Sequence, residues 1–411
     1  MWPRKLFDIS WRDLVFGMMK CIGPRAPRGM EPYLEEMGCD LDHSMISLSV
    51  RSGFDLLLGA LRLPMGSEVI MTAITIPDMI DIVRRHGLVP VPLDLDFATL
   101  SPSTTAFQDC ITESTCLIVV AHLFGSRMPM APILKVAKQR GLLVVEDCAQ
   151  AFEGRDRVGA FEGDALLYSF GPIKTATSLG GGLVFVRSSS LLKEMRKLQD
   201  QYPVQTPWSY ALRIAKYATL KLVSQRLMYG AILWICRQMK KDPDLLINGL
   251  ARTFGKRDLF ESIRCRPCNA LMAMIARRWL TYSPSRAARR EMLGKSLKEL
   301  LSKVVAVPGS KAEKHSYWVF PIVTSQSESL IKMLQRDGVD GTRSHNLIVV
   351  EGSNENSDRD ASVMRKMLEN VVFLPVYPEM TSEAIARIAA IASSSVPVPM
   401  AESLLCDKLH F

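Results

Sequence analysis

A lysine and an aspartate that each follow a buried strand pattern are the residues best placed for chemistry. Asp147 comes directly after the run 142–146, and Lys174 follows the run 165–168 after a short loop. A lysine amine can form a Schiff base with a carbonyl compound, and a desolvated carboxylate requires a cation as its partner. Taken singly, Asp147 is as well explained as a helix N-cap and Lys174 as a surface charge. Their order and shared position at strand ends favour a joint site.

Groups that suit a phosphate lie close to this pair in the predicted fold. Ser169, Thr175 and Thr177 flank Lys174, and the step Ser52-Gly53 precedes a predicted helix. A helix start offers backbone N–H groups and a positive dipole end to an anion. A lysine that forms a Schiff base, a carboxylate that keeps a pyridine nitrogen protonated and a set of phosphate donors are what pyridoxal phosphate (PLP) needs. The sequence therefore fits a PLP site.

The elements that must position these residues alternate between strand and helix. Continuous apolar strands such as 116–120 indicate a sheet that is buried on both faces. The pattern predicts an α/β fold with a mostly parallel sheet, whose ligands lie beyond the carboxyl ends of the strands. His122 also ends a strand, where it binds a ligand or is a hydrogen-bonded histidine capping the loop. After a short lead-in over 46–50, the predicted strands are 68–72, 89–94, 115–122, 142–146, 165–170 and 182–186, and the helices are 54–63, 77–86 and 131–140.

Four regions follow from this pattern. We predict an N-terminal helical segment over 1–43, whose apolar residues within 2–15 pack on the body, and a large α/β domain over 44–200. A basic amphipathic helical insertion is predicted over 201–255, and a small C-terminal α+β domain over 256–411. Within the last, a long helix is expected over 270–303 and strands over 317–323 and 371–375.

Three motifs carry a resemblance to a known family. Val144-Val-Glu-Asp-Cys-Ala-Gln-Ala-Phe-Glu-Gly resembles the aspartate motif of the DegT-type sugar aminotransferases, a branch of the fold-type-I PLP enzymes. Ser169-Phe-Gly-Pro-Ile-Lys, followed by Leu179-Gly-Gly-Gly, resembles their Schiff-base motif, and Val120-Ala-His-Leu-Phe-Gly resembles a third. The similarity runs from about residue 44 to residue 391 and is strongest between 68 and 186.

The resemblance implies a fold-type-I PLP transferase with a mostly parallel sheet and a smaller α+β domain. It implies transfer of an amino group from an amino acid, with glutamate the expected donor, to a keto sugar that is expected to be nucleotide-linked. A lysine at position 174, where a histidine marks dehydratases, favours transamination. A dehydratase, an aminotransferase for a non-sugar carbonyl and a non-catalytic PLP-fold regulatory protein stay as alternatives. The implied roles are Lys174 as anchor and general base, Asp147 at the pyridine nitrogen, Gln150 and His122 near the ring, and Ser169, Ser52 and the backbone of Gly53 and Phe54 at the phosphate.

The sequence departs from the family pattern at several of these positions. Phe54 stands where many relatives have threonine, so one phosphate hydroxyl is lost and Arg51 could compensate. Ile76 occupies the place of an aromatic residue that stacks on the cofactor. Arg264 and Arg266 replace an asparagine that relatives send into the neighbouring subunit's site, which implies a homodimer with a shared active site. These arginines either bind phosphate or an anionic substrate across the interface, or are surface charges.

Charge and composition limit the kinds of partner that the chain can have. The net charge of +9 suits nucleic acid, an anionic substrate or a membrane surface, and without a nucleic-acid motif we expect no nucleic-acid partner. Residues 201–241 hold seven basic and no acidic residues among many apolar ones. Residues 208–241 could therefore lie in a membrane interface, although packing on the enzyme or a partner subunit is favoured.

Two further observations concern the compartment. No apolar run reaches the ~18 residues of a membrane-spanning helix, and no signal-peptide core is present. The nine cysteines are scattered, and the pair Cys265 and Cys268 lacks further ligands nearby. These features predict reduced thiols, no metal site and a cytoplasmic enzyme, with peripheral contact to the inner membrane face as the alternative placement.

Overall fold

A seven-stranded sheet forms the centre of the computed structural model, which describes residues 2–23, 29–155, 161–225, 258–302, 304–343, 346–352 and 359–394. The strand order is β1-β9-β8-β7-β5-β2-β4. The pairs β4/β2, β2/β5, β5/β7 and β7/β8 are parallel, whereas β9 runs antiparallel to β8 and β1. This confirms the predicted α/β fold with a mostly parallel sheet. The strands are β1 (Ser44–Ser47), β2 (Glu68–Thr72), β3 (Ile74–Thr75), β4 (Val89–Leu93), β5 (Thr115–Ala121), β6 (Ser126–Arg127), β7 (Leu143–Asp147), β8 (Ala165–Ser169) and β9 (Gly182–Val186).

Helices cover both faces of the sheet, and a second, smaller group of elements follows it in the chain. The first helices are α1 (Trp11–Ile22), α2 (Glu31–Met37), α3 (Val50–Leu61), α4 (Pro77–Arg85), α5 (Thr104–Asp109), α6 (Ala131–Arg140), α7 (Ser189–Asp200) and α8 (Pro207–Val223). The later elements are α9 (Leu259–Ile263), α10 (Asn269–Thr281), α11 (Pro284–Leu301), β10 (Lys314–His315), β11 (Phe320–Val323), α12 (Ser327–Arg336), β12 (Ile348–Val349), α13 (Ser362–Asn370), β13 (Val371–Leu374) and α14 (Ser382–Ser394). The predicted domain boundaries stay a prediction.

The start of α3 differs from the prediction. The sequence predicts a short lead-in over 46–50 and a helix over 54–63, but a strand covers Ser44–Ser47 and the helix begins at Val50. Ser49 is its N-cap, and the Ser49 hydroxyl accepts a hydrogen bond from the Ser52 backbone N–H at 3.1 Å. A serine that satisfies an N–H of the first turn starts a helix. Gly53 consequently lies inside the helix, where an added Cβ would come within 2.6 Å of the Val184 side chain on β9.

The prediction of one long helix over 270–303 is wrong. The structure has two helices, α10 and α11, which are separated at Tyr282 and Ser283. Pro284 is the first residue of the second helix, because its missing N–H costs nothing there and its ring keeps the preceding residue out of helical geometry. The strand expected from residue 317 begins only at Phe320, since Tyr317 has a left-handed φ of 50°.

The N-terminal segment is tied to the body at both ends. Trp2 forms a parallel bridge with Val339, and the Arg4 side chain donates to Asp340 at 2.7 Å. Farther along, Ile9 and Leu14 are buried as predicted. Trp11 and Val15, which we also expected to pack, are 46% and 58% exposed because they lie on the outer face of α1. The anchored residues 2–8 reach the Lys174 loop.

Helix α8 forms the described part of the predicted insertion. Its residues Tyr210, Ile214 and Tyr217 are buried, and it packs against α1 and α10. This half of the segment therefore packs within the chain, the interpretation favoured from sequence. The remaining residues of the predicted membrane segment, 226–241, lie outside the described residues. Across the ranges given above, no helix combines the length and the apolar character needed to cross a bilayer.

Candidate active site

Lys174 lies on the loop between β8 and β9. The loop is pinned by hydrogen bonds from the Lys174 N–H to the Gly171 carbonyl at 3.0 Å and from the Ser178 N–H to the Phe170 carbonyl at 3.1 Å. The pKa of Lys174 is lowered to about 8, because burial and the charge of Arg51 lower it more than the charge of Asp147 raises it. A lysine with such a pKa holds a useful fraction of neutral, nucleophilic amine near neutral pH.

The ring of Trp318 lies against the lysine. The Lys174 Nζ atom is 4.2 Å from the centre of the indole ring, and the Trp318 Nε1–H donates to the Ile173 carbonyl at 3.3 Å. Attraction between a cation and an indole face is worth about 0.5–2 kcal/mol. Trp318 is not among the site residues predicted from sequence, because the strand expected over 317–323 leaves no turn at Tyr317. The neighbouring aromatic residues Tyr317 and Trp318, directly before a short strand, are the sequence feature that could indicate a contact with the site.

Asp147 ends β7, two strands from β9 in the sheet. Its Oδ1 atom accepts a hydrogen bond from the Ala149 N–H at 2.9 Å. Burial raises the pKa of Asp147, and the Ala149 N–H and the charges of Lys174 and His122 oppose the rise. A carboxylate in such surroundings is stabilised by a buried cation. A protonated pyridine nitrogen would supply that cation, so the Asp147 and Lys174 side chains fit PLP.

The structure engages Gln150 and His122 in hydrogen bonds of the protein. Gln150 Oε1 accepts from the Phe124 N–H at 2.7 Å, which ties it to the loop after β5. The Met128 N–H donates to His122 Nδ1 at 3.3 Å, and His122 Nε2 lies 3.4 Å from a Glu146 oxygen. Both His122 nitrogens are thus used, as the capping alternative expects. Contacts of Gln150 and His122 with a cofactor ring remain predictions.

His122 belongs to a cluster with the composition of a metal site. A ligand atom from each of His122, Glu146 and Cys148 lies within 4.8 Å of the others. The second Glu146 oxygen, however, accepts the N–H groups of Glu162 and Gly163 at 3.1 and 2.9 Å. These hydrogen bonds satisfy the carboxylate without an ion, and we interpret the cluster as support for the Asp147 strand.

The hydroxyl and backbone groups that are predicted to bind the phosphate differ in their hydrogen bonding. Ser169 ends β8, and its hydroxyl accepts the Gly171 N–H at 3.4 Å, while the Ser52 hydroxyl lies 3.0 Å from that of Ser49. The backbone N–H groups of Gly53 and Phe54 are not available as predicted. The Gly53 N–H donates to the Ser49 carbonyl at 3.0 Å, and Phe54, as the fifth helical residue, donates within the helix. Phosphate binding by the two hydroxyls stays a prediction.

Arg51 and Ile76 lie at the starts of neighbouring helices. Arg51, in the first turn of α3, forms an ion pair with Asp78 of α4, so the structure gives it a partner within the chain. Ile76 is the N-cap of α4 and packs partly buried against the core beneath α3. The predicted aliphatic contact of Ile76 with the cofactor remains a prediction.

Arg264 has a different partner from the one expected. Its Nε and Nη2 atoms each donate to an oxygen of Asp55 at 2.9 Å. An Asp55 oxygen also lies 3.0 Å from His86 Nε2. Arg266 pairs with Asp200 at 3.2 Å. A bidentate pair with a buried carboxylate positions the guanidinium in its own chain, and phosphate or substrate binding by Arg264 across a subunit interface stays a prediction.

Two basic residues that sequence analysis missed complete the surroundings of Lys174. The Lys5 Nζ atom lies 3.5 Å from the centre of the Trp318 ring. Arg290 of α11 donates to the Thr175 hydroxyl at 3.1 Å. Both line a cavity together with Lys174 and Trp318. Neither carries a local motif, because each reaches the site only through tertiary packing.

A lysine of lowered pKa and a half-buried carboxylate, both at one edge of a mostly parallel sheet, are the arrangement expected of a PLP-binding α/β protein of the aminotransferase fold. The chain belongs to the DegT/DnrJ/EryC1/StrS aminotransferase family, whose model matches residues 35–209 and 268–392. This confirms the predicted resemblance, and members of the family depend on PLP. The unmatched residues 210–267 overlap the predicted insertion.

A curated relative is the GDP-perosamine synthase of Escherichia coli O157:H7. It is 32% identical over 163 residues, which are 38% of this chain and 44% of the relative. The match thus spans less than half of the relative's length.

Two solved structures share the fold. The aminotransferase TlmJ from Streptoalloteichus hindustanus is 19% identical with a TM-score of 0.66, and the alignment covers 95% of this chain and 98% of TlmJ. The E. coli GDP-4-keto-6-deoxy-D-mannose-3-dehydratase with bound hydrated PLP is 14% identical with a TM-score of 0.67, covering 95% and 99%. Because an aminotransferase and a dehydratase share this fold, the fold alone does not choose the reaction.

Proposed function

We propose that this chain is a PLP-dependent aminotransferase that moves an amino group from an amino acid to a nucleotide-linked keto sugar, with glutamate as the donor. The observation that carries the proposal is Lys174, which lies on a pinned loop with a pKa lowered to about 8. Asp147 ends a neighbouring strand, where it opposes that shift. The partial similarity to a GDP-perosamine synthase supports a nucleotide-linked sugar as acceptor.

The roles of the residues follow from their positions. Lys174 would hold the cofactor covalently through Nζ and, once released, move the substrate proton. Asp147 would keep the ring nitrogen protonated, and the hydroxyls of Ser169 and Ser52 would bind the phosphate. When bound, PLP supplies an electron sink for the carbon that loses its proton. A lysine at 174, able to take up and return that proton, supports transamination over the dehydratase alternative.

The experiment is a screen of nucleotide-linked keto sugars with ¹⁵N-labelled glutamate, read by mass spectrometry. We expect an amino sugar that carries the label and one equivalent of 2-oxoglutarate for each amino sugar formed, with no product from Lys174→Ala. A product that has lost water without gaining nitrogen would replace the proposal with a dehydratase. Cofactor binding without any turnover across the screen would favour the regulatory protein.

Assembly and location form a separate part of the proposal. By the family resemblance we propose a homodimer, which light scattering would test and an active monomer would refute. Residues 208–241 are proposed to touch an anionic membrane surface, on the motive of the seven basic and no acidic residues in this stretch of sequence together with the exposed Trp208 and Leu212. Co-sedimentation with phosphatidylglycerol vesicles at low and high salt tests this. Protein that stays in the supernatant throughout would make the segment a packing element.

A further inference from the structure

The cavity beside Lys174 holds more positive charge than its acids neutralise. Among the described residues, the Lys5 Nζ and Arg290 Nη2 atoms are buried and have no hydrogen-bond partner. The two acids of the same cavity, Asp8 and Glu379, are already engaged with Arg286 at 3.2 and 2.6 Å. A buried cation without an anion is unfavourable, and the indole face beneath Lys5 offsets only part of that cost. The two nitrogens are therefore suited to an anionic ligand.

Arg290 is held so that one nitrogen stays available. The Nε atom donates to the Ser316 carbonyl at 2.8 Å and the Nη1 atom to the Thr175 hydroxyl at 3.1 Å. The residue is only 6% exposed, so the guanidinium has little room to turn. Thr175 is the neighbour of Lys174 in the chain. The third nitrogen, Nη2, is consequently presented beside the lysine that would hold the cofactor.

Lys5 is positioned by anchors on both sides of it in the chain. Arg4 forms a bidentate pair with Asp340 at 2.7 and 3.0 Å, and the Ala176 N–H donates to Asp8 at 3.0 Å. The Nζ atoms of Lys5 and Lys174 lie 3.5 and 4.2 Å from the centre of the same indole ring. The separation of the two Nζ atoms is therefore no larger than the sum of these two distances.

Two further observations concern Lys5: the causes of its lowered pKa and its position outside the family match. Burial lowers the pKa of Lys5 well below its usual range, Lys174 and Arg290 lower it further, and Asp8 opposes. A bound anion would oppose these effects and favour the ammonium form. Residues 2–8 lie outside the ranges that the family model matches, so this contribution belongs to the chain's own N-terminal segment.

We propose that the Lys5 ammonium and the Arg290 Nη2 group together bind the α-carboxylate of the amino-acid donor. The inference rests on the proposed function. In an amino acid, the α-carboxylate is attached to the carbon whose amine is transferred, so it must lie within a few bonds of the Lys174 nitrogen. The diphosphate of a nucleotide-linked sugar is farther away, because the sugar ring separates it from the keto carbon. Each cation can donate to one carboxylate oxygen.

The test uses the PLP-loaded enzyme and glutarate, a dicarboxylate that has no amine to react. Glutarate binding is measured by calorimetry in wild type, Lys5→Gln, Lys5→Arg and the control Lys20→Gln, which removes an exposed lysine of α1. We expect Lys5→Gln to weaken glutarate binding at least tenfold, and Lys5→Arg and the control to bind within threefold of wild type. Guanosine diphosphate binding and the cofactor content should be the same in all four proteins.

A second variant separates binding from folding. Lys5→Met removes a buried amine that has no hydrogen-bond partner among the described residues, so we expect its thermal midpoint without ligand to equal or exceed that of wild type. Glutarate should then raise the midpoint of wild type more than that of the variant, since only a ligand that binds the native state stabilises it.

The outcomes distinguish this inference from the proposed function. Glutarate affinity that is unchanged in Lys5→Gln, or absent in wild type, would overturn the carboxylate site and leave sugar amination standing. Loss of guanosine diphosphate binding or of cofactor instead of glutarate would also overturn it, since the anion would then be a phosphate. Lys5-dependent glutarate binding in a chain that aminates no keto sugar would keep the carboxylate site and refute the function.

Discussion

Lys174 and Trp318, 144 residues apart in the sequence, meet with the lysine nitrogen 4.2 Å from the centre of the indole ring. The ring attracts the ammonium form of the lysine and so opposes the burial that lowers its pKa. We expect Trp318→Leu to lower the Lys174 pKa below the wild-type value of about 8. A contact of about 1 kcal/mol corresponds to a shift of roughly 0.7 pH unit.

The measurement is the pH dependence of PLP incorporation into cofactor-free enzyme, because incorporation requires the neutral amine. The midpoint should move to lower pH in Trp318→Leu, while Trp208→Leu, which changes an exposed tryptophan of α8, should match wild type. An upward or absent shift in Trp318→Leu would show that the indole does not favour the charged lysine.

Asp147→Asn should leave the cofactor bound and reduce turnover by at least 100-fold. An amide cannot keep the pyridine nitrogen protonated, so the ring loses its capacity as an electron sink. Bound cofactor is measured by absorbance and turnover by the labelled amino sugar, with Asp42→Asn as an exposed control. Near-normal turnover in Asp147→Asn would show that Asp147 only accepts the hydrogen bond of the Ala149 N–H and has no role in the chemistry.

The positions of Asp147 and Lys174 could be predicted because local signals specify them. A continuous apolar strand ends at each site, and parallel strands bring those ends to one edge of the sheet. The Lys5 and Arg290 contacts could not be predicted, since they depend on where the N-terminal segment and α11 dock. The Ser49 cap and the proline indicate the start of α3 and the break before Pro284, but the apolar pattern runs across both positions and favours other boundaries.

Asp13→Asn should lower the free energy of unfolding by about 3–5 kcal/mol at neutral pH, because it breaks a buried ion pair. Asp13 accepts from Arg278 at 3.0 Å and from Arg277 at 2.7 Å. Burial raises the pKa of Asp13, but Arg278 and Ser10 lower it more, so the net pKa is depressed. The carboxylate therefore stabilises the fold above its unfolded pKa of about 3.9.

Denaturant titrations at several pH values check this. The difference between wild type and Asp13→Asn should be constant from about pH 6 to pH 8. It should shrink below about pH 4, where the unfolded carboxylate takes up a proton, and be lost once the native carboxylate is protonated as well. A difference that grows on acidification would contradict the assigned ion pair.

Arg264→Gln should destabilise the chain by about 1–3 kcal/mol without loss of cofactor, because it removes one of several partners of the buried Asp55. Arg266→Gln is the matched control, and its pair with the exposed Asp200 should contribute under about 1 kcal/mol. Thermal melts and cofactor absorbance are measured together. Cofactor loss at unchanged stability in Arg264→Gln would restore the role across the subunit interface that the family resemblance implies.

Lys174 as the covalent anchor of PLP is the central claim, and reductive trapping tests it most directly. The PLP-loaded enzyme is reduced with borohydride, digested and mapped by mass spectrometry for the pyridoxyl group. The structure predicts a single labelled peptide, modified at Lys174, and no label in Lys174→Ala. A label on any other lysine, above all on Lys5 at the same indole ring, would contradict the assignment.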